Sequence, residues 1–165
     1  EDRLKSIADQ YGATAVAPDD IIKTECEVFA PCALGAVIND QSLELLRCKV
    51  VSGGANNQLL EPRHGSALKE MGILYAPDFV ANAGGLMNVF VELEGYSVDR
   101  ALEKTTRIYD NMLDIFATAK AEDISTHEAA FRVASKRIDV LGRVGQKHLG
   151  KTSRPFTSLK EVYLR

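Results

Sequence analysis

Two stretches of this chain end in small residues and side-chain amides, a combination suited to places where a ligand approaches the backbone. Pro31-Cys32-Ala33-Leu34-Gly35 closes an apolar run over 27–32, and Gly53-Gly54-Ala55-Asn56-Asn57 closes another over 49–55. A carboxamide both donates and accepts hydrogen bonds, so Asn56 and Asn57 suit a ribose hydroxyl or another carboxamide. Each turn taken singly is also ordinary punctuation between strand and helix. Two of them after successive apolar runs strengthen the case, because open α/β sheets bind ligands at the carboxyl ends of their strands. A third stretch runs Tyr75-Ala76-Pro77-Asp78-Phe79-Val80-Ala81-Asn82-Ala83-Gly84-Gly85-Leu86-Met87-Asn88-Val89, a strand, a loop and a helix opened by a glycine pair. On that helix Leu86 and Val89 stand three apart and share a face, either as core or as the wall of a pocket.

A different nucleotide signature lies near the end of the chain. Gly145-Gln146-Lys147-His148-Leu149-Gly150-Lys151-Thr152 satisfies G-x-x-x-x-G-K-[ST], the phosphate loop of many nucleotide hydrolases. Such a loop works only where it follows a strand and opens a helix, which aims its N–H groups at the phosphates. Here it closes a helical pattern and precedes Ser153, Arg154 and Pro155, which start no helical stripe, so a basic helix C-terminus is the simpler account. The dinucleotide loop G-x-G-x-x-G, with an acid about 20 residues on, has no match. His64, His127 and His148 are scattered, and Cys26, Cys32 and Cys48 lack C-x-x-C spacing, so no metal ligand is assigned. Neither a disulfide framework nor a zinc site is suggested, which fits a reducing, cytoplasmic setting.

These candidates need a scaffold. A chain of 165 residues that is 45% hydrophobic and 26% charged has the make-up of an ordinary globular protein, and the length of one domain around a single core. A net charge of -3 argues against a phosphate-backbone binder, so nucleic acid is not an expected partner. No apolar run reaches the roughly 18 residues of a membrane helix, and no membrane partner is expected. Glu1-Asp2-Arg3 resembles no signal peptide, and a start on a helical pattern without Met reads as a piece cut from a longer protein.

Leu4, Ile7, Ala8 and Tyr11 lie on one helical face with Gly12 placed as a left-handed cap. Apolar runs at 13–17, 27–32, 49–55 and 73–76 predict buried strands, and the spacing between them predicts helices over 39–47 and 62–71. This alternation is that of an α/β fold with a mostly parallel sheet. From Gly84 onward the pattern is helical. Ala101, Leu102, Ile108, Tyr109, Met112, Phe116 and Ala119 form one stripe on a helix of about 20 residues. A second helix starts at a capping box, Ser125-Thr126-His127-Glu128, with Ile124 as its hydrophobic staple. Residues 149–165 read as a terminal arm.

The three turn stretches, with Gly65 and Glu94-Gly95-Tyr96, closely resemble the C-terminal, nucleotide-binding part of the leucine, phenylalanine and valine dehydrogenases, up to about residue 148. The resemblance implies a partial Rossmann-like, doubly wound sheet with C-terminal helices over 1–148. It also implies NAD as cofactor and oxidative deamination of an apolar L-amino acid, leucine foremost, to the 2-oxo acid and ammonia. Cys32, Ala33 and Leu34 match the turn beside the cofactor's ribose and pyrophosphate, and Asn56, Asn57 and Asn82 match residues near the nicotinamide ribose and carboxamide. Leu86 and Val89 match residues that touch the substrate side chain, where an aliphatic group leaves no partner for a second carboxylate. Leu86 departs from the smaller valine expected in a leucine enzyme, which leaves leucine, valine and phenylalanine open. In the family the glycine-rich loop and its acid lie just upstream of the position matching Glu1, and the lysines further upstream. No catalytic residue is therefore assigned to this chain, which is expected to be inactive alone and to act within a homo-oligomer. Two other classes stand beside this one: a nucleotide hydrolase acting through 145–152, and a non-catalytic interaction module on the same fold.

Overall fold

The computed structural model describes residues 2–93 and 95–149. In chain order the elements are α1 (Asp2–Tyr11), β1 (Val28–Phe29), α2 (Asp40–Leu45), β2 (Val50–Val51), α3 (Arg63–Glu70), β3 (Leu74–Tyr75), α4 (Asp78–Ala81), α5 (Gly84–Leu93), α6 (Val98–Glu122) and α7 (Thr126–Leu149). The fold is α/β. The sheet is parallel throughout, in the order β1-β2-β3, with Val28 opposite Val50 and Val50 opposite Leu74. Each expected strand over 27–32, 49–55 and 73–76 is present but shorter at both ends. The expected strand at 13–17 does not form. Its backbone pairs with no ladder, and Ala13 N–H instead donates to Ala8 carbonyl at 3.0 Å, closing α1 around a left-handed Gly12 (φ 63).

The chain divides into two compact units, one ending at Asp78 and the other beginning at Phe79. The expected single core is accordingly two. In the first unit Phe29, Val51 and Tyr75 point to one face of the sheet and pack with Ile38, Leu46, Leu68 and Ile73, the last four brought by α2, α3 and the segments joining them to the strands. On the opposite face Val28 and Leu74 stay exposed, so among the described residues helices cover one side of this sheet. In the second unit Ile115 and Ala119 of α6 pack on Ala129 and Ala130 of α7. The stripe read on α6 is narrower than expected: Ala101 and Ala119 are buried, but Leu102 and Tyr109 are 61% and 69% exposed, and Ile115 takes the central place.

Local chemistry fixes the helix starts. Asn39 caps α2, its Oδ1 accepting from Gln41 and Ser42 N–H at 3.1 Å while its own N–H donates to Ser42 Oγ at 2.8 Å. Of the capping box expected at α7 one half is present: Ser125 Oγ accepts from Glu128 N–H at 3.2 Å. The carboxylate of Glu128 pairs with Arg132 one turn on, and Arg132 also reaches Glu122.

Candidate functional site

The carboxyl edge of the first unit's sheet is built from the segments that leave β1, β2 and β3. The first two interlock backbone to backbone. Ala55 N–H donates to Pro31 carbonyl at 2.9 Å, Gly54 N–H to the Cys32 sulfur at 3.3 Å, and Ala36 N–H to Asn57 carbonyl at 2.7 Å. A Cβ added at Gly53 would run into the Pro31 backbone, and one at Gly35 would lie 2.7 Å from the Asn56 carbonyl oxygen. The glycines read as room for a ligand thus make room for the neighbouring turn. The interlock also holds Ala36 and Asn57 in the left-handed region, φ 58 and 53, a conformation that costs an alanine about 1–2 kcal/mol but that asparagine tolerates better.

With the backbone spent on this interlock, the side chains are left facing outward. Cys32, Ala33, Leu34, Asn56 and Asn57 are all exposed, Leu34 at 83%. The five candidates of the first unit are therefore brought to one edge. Gln58, which is fully buried, braces the second turn from inside: its amide donates to Gly53 carbonyl at 2.7 Å and to Ala55 carbonyl at 3.0 Å. The third segment contributes Asp78, which is buried and accepts from Asn57 N–H at 2.6 Å and from the Tyr75 hydroxyl at 2.7 Å. Burial first, and then the bond to Asp78, push the Tyr75 phenol well above its ordinary range, so it stays a donor. Sequence reading missed Gln58 and Asp78, because each acts on backbone groups and neither belongs to a spaced motif.

The other candidates belong to the second unit. Asn82 and Ala83 join α4 to α5, and Gly84 opens α5 with room for no more than ordinary contact with Thr105, 3.6 Å from a Cβ at that position. Leu86 and Val89 are 75% and 55% exposed, so neither is core among the described residues. The phosphate-loop match fails on topology. Residues 145–149 belong to the last turns of α7, with a helix and not a strand before them; 150–152, like most of the expected arm at 149–165, lie outside the described residues.

Charge gathers on the first unit where α2 and α3 begin. Arg63 forks onto both Asp40 oxygens at 2.7 Å and reaches Glu61 at 2.9 Å. The guanidinium, and more weakly His64, hold the Asp40 carboxyl down to about 2 against a partial desolvation that opposes them. His64 is fully buried; its Nδ1 lies 3.0 Å from Glu61 N and its Nε2 3.3 Å from Asp40. This is a clasp between two helix starts. Among the described residues no group of three or more His, Cys, Asp or Glu is arranged to hold a metal, and no helix is long and apolar enough to cross a membrane.

The Glutamate/Leucine/Phenylalanine/Valine dehydrogenase family model matches residues 1–143, and the chain belongs to that family. It is 53% identical over 133 residues to the leucine dehydrogenase of Geobacillus stearothermophilus, covering 81% of this chain and 36% of that protein. To the phenylalanine dehydrogenase of Thermoactinomyces intermedius it is 46% identical over 141 residues, 84% of this chain and 38% of the relative. The crystal structure of the L-tryptophan dehydrogenase from Nostoc punctiforme matches with a TM-score of 0.81 and 41% identity, covering 84% of this chain and 43% of that one. The chain thus spans little more than a third of the length of these curated relatives.

Proposed function

We propose that the chain is the C-terminal, cofactor-side part of an NAD-dependent dehydrogenase that deaminates an apolar L-amino acid oxidatively. The observation that carries this is the edge at which two interlocked turns present Cys32, Ala33, Leu34, Asn56 and Asn57 outward, in a chain 53% identical to a leucine dehydrogenase. The donor set suits part of a dinucleotide: two amides that donate and accept match ribose hydroxyls and a carboxamide. Its pyrophosphate would need the glycine-rich loop that this sequence does not contain. On this proposal the whole domain is Rossmann-like, its first half supplied by the rest of the protein.

When bound, nicotinamide supplies the acceptor for the hydride from the amino acid's α-carbon. The chain's own residues bind and orient. Cys32, Ala33 and Leu34 flank the ribose and pyrophosphate, Asn56, Asn57 and Asn82 hold the nicotinamide ribose and carboxamide, and Leu86 and Val89 contact the substrate side chain. The apolar character of those last two favours leucine, valine or phenylalanine over a second carboxylate, which would be buried without a partner at a cost of several kcal/mol. The proton-transferring groups lie in the rest of the protein on this reading, so the chain alone is inactive. The same reading makes the whole protein a cytoplasmic homo-oligomer, as the family resemblance of the sequence implies.

The test is to join the chain to its natural upstream sequence and follow NAD reduction with leucine, valine, phenylalanine and glutamate. Turnover of an apolar amino acid, with kcat/KM for glutamate lower by about 100-fold or more, is expected from the lost carboxylate pairing. Absence of turnover with all four would sink the proposal.

A further inference from the structure

Asn57 is held by the interlock at both of its backbone groups. It sits at φ 53 without being glycine; its carbonyl accepts from Ala36, and its N–H donates to Asp78. Asp78 lies at the start of α4, 6% exposed, with both carboxylate oxygens committed: Oδ2 to Asn57 N–H at 2.6 Å, Oδ1 to the Tyr75 hydroxyl at 2.7 Å. Its own N–H returns to the Tyr75 oxygen at 3.2 Å, so the tyrosine is fixed by the residue it fixes. One line of bonds therefore runs from the third crossover end through the second to the first: Asp78 to Asn57, Asn57 to Ala36.

A buried carboxylate served by neutral donors is an expensive way to satisfy one N–H, since a neutral amide or hydroxyl acceptor would leave no charge to desolvate. What an anion adds is a shorter and stronger bond to that N–H, which fixes Asn57 in one of the several backbone conformations open to an asparagine. The residue so held carries one of two adjacent amides on the exposed edge, while Gln58 braces the other end of the same turn at Gly53 and Ala55.

We propose that Asp78 is a positioning residue: through the Asn57 N–H it locks the second turn so that the Asn56 and Asn57 amides stand ready at the cofactor edge. This rests on the dehydrogenase reading above. Tyr75 is its support, and neither residue touches the reactants.

The test uses the full-length enzyme, wild type and carrying Asp78→Asn or Tyr75→Phe. Asp78→Asn keeps the shape but sets an amide against the Asn57 N–H; KM for NAD should rise about 10- to 100-fold, the penalty of a misplaced binding group. Under the same conditions kcat and KM for the amino acid should stay within about threefold, a split that general destabilisation does not produce. Tyr75→Phe leaves the carboxylate in place and should raise KM for NAD by a smaller factor. Asn57 amide hydrogen exchange, read in the same proteins, should accelerate in Asp78→Asn, with Val51 in the adjoining strand unchanged.

A KM for NAD within twofold of wild type in Asp78→Asn, or a loss confined to kcat, overturns the inference. If Asp78→Asn does not fold, Tyr75→Phe decides by the same criterion. Absence of any wild-type activity overturns the dehydrogenase reading and the cofactor role with it. An Asn57 amide that exchanges equally fast in both proteins overturns the lock itself, whatever the activity.

Discussion

A methyl group added at Gly53 would collide with the backbone of Pro31, whereas one added at Gly54 would meet the Cys32 sulfur at 3.7 Å, an ordinary contact. The two glycines should therefore respond differently to alanine. Gly53→Ala should lower unfolding free energy by about 1–3 kcal/mol, the range for overpacking a tight site, and Gly54→Ala by under about 1 kcal/mol. Urea denaturation of the two variants side by side measures both. The Asp40–Arg63 pair makes a separate prediction, with its sign set by the depressed carboxyl. Because Asp40 titrates near 2 when folded and higher when unfolded, its contribution is complete above the ordinary carboxylate range and is lost as pH falls toward 2. Asp40→Asn should lower the melting temperature at pH 7, and the gap to wild type should shrink steadily between pH 4 and pH 2. At this scale the small residues and amides at 31–35 and 53–57 were legible, because glycine and asparagine announce turns. Their reason was only half legible, since what crowds Gly35 and Gly53 is another turn. Asp78 was invisible as a partner of Asn57, because that contact joins residues 21 apart through a backbone N–H.

Helix α7 begins where its capping residues say it should. Ser125 is buried and its hydroxyl accepts from Glu128 N–H, so Ser125→Ala should cost about 1 kcal/mol and speed amide exchange in the first turn of α7. Replacement of Glu128, whose partners are exposed arginine contacts, should change stability far less. Helices were well marked in the sequence, since periodicity and caps are local properties. Strands were less so: 27–32, 49–55 and 73–76 found ladders, while the equally apolar 13–17 found none, and pairing is a property of two segments. The stripe on α6 was overdrawn for a related cause. Apolar residues such as Leu102 and Tyr109 were assigned to the buried face by spacing, but burial follows from the neighbours α5 and α7, which the spacing does not identify.

For the molecule as a whole, family membership was legible because several motifs occur jointly in order, and no single one of them would have sufficed. Division into two units was not: a change of pattern near Gly84 was visible, but the boundary at Asp78 and the separate cluster of Ile115, Ala119, Ala129 and Ala130 depend on packing. On the proposed function, side-chain preference would be set in the assembled enzyme. Leu86→Val in the full-length protein should shift the ratio of kcat/KM between leucine and valine by about 10-fold or more, the worth of a methylene in an apolar pocket, with KM for NAD unchanged. The interlocked turns and the helix carrying Leu86 also differ in how freely they can vary. Positions 35 and 53 are wedged between backbones, while 86 and 89 bear little packing duty in this chain. A library randomised at 86 and 89 should yield folded, soluble members in abundance, and one randomised at 35 and 53 almost none. If the proposed function holds, a scaffold so divided could drift among substrates without first surrendering its stability, which would make α5 the natural place to begin directed evolution.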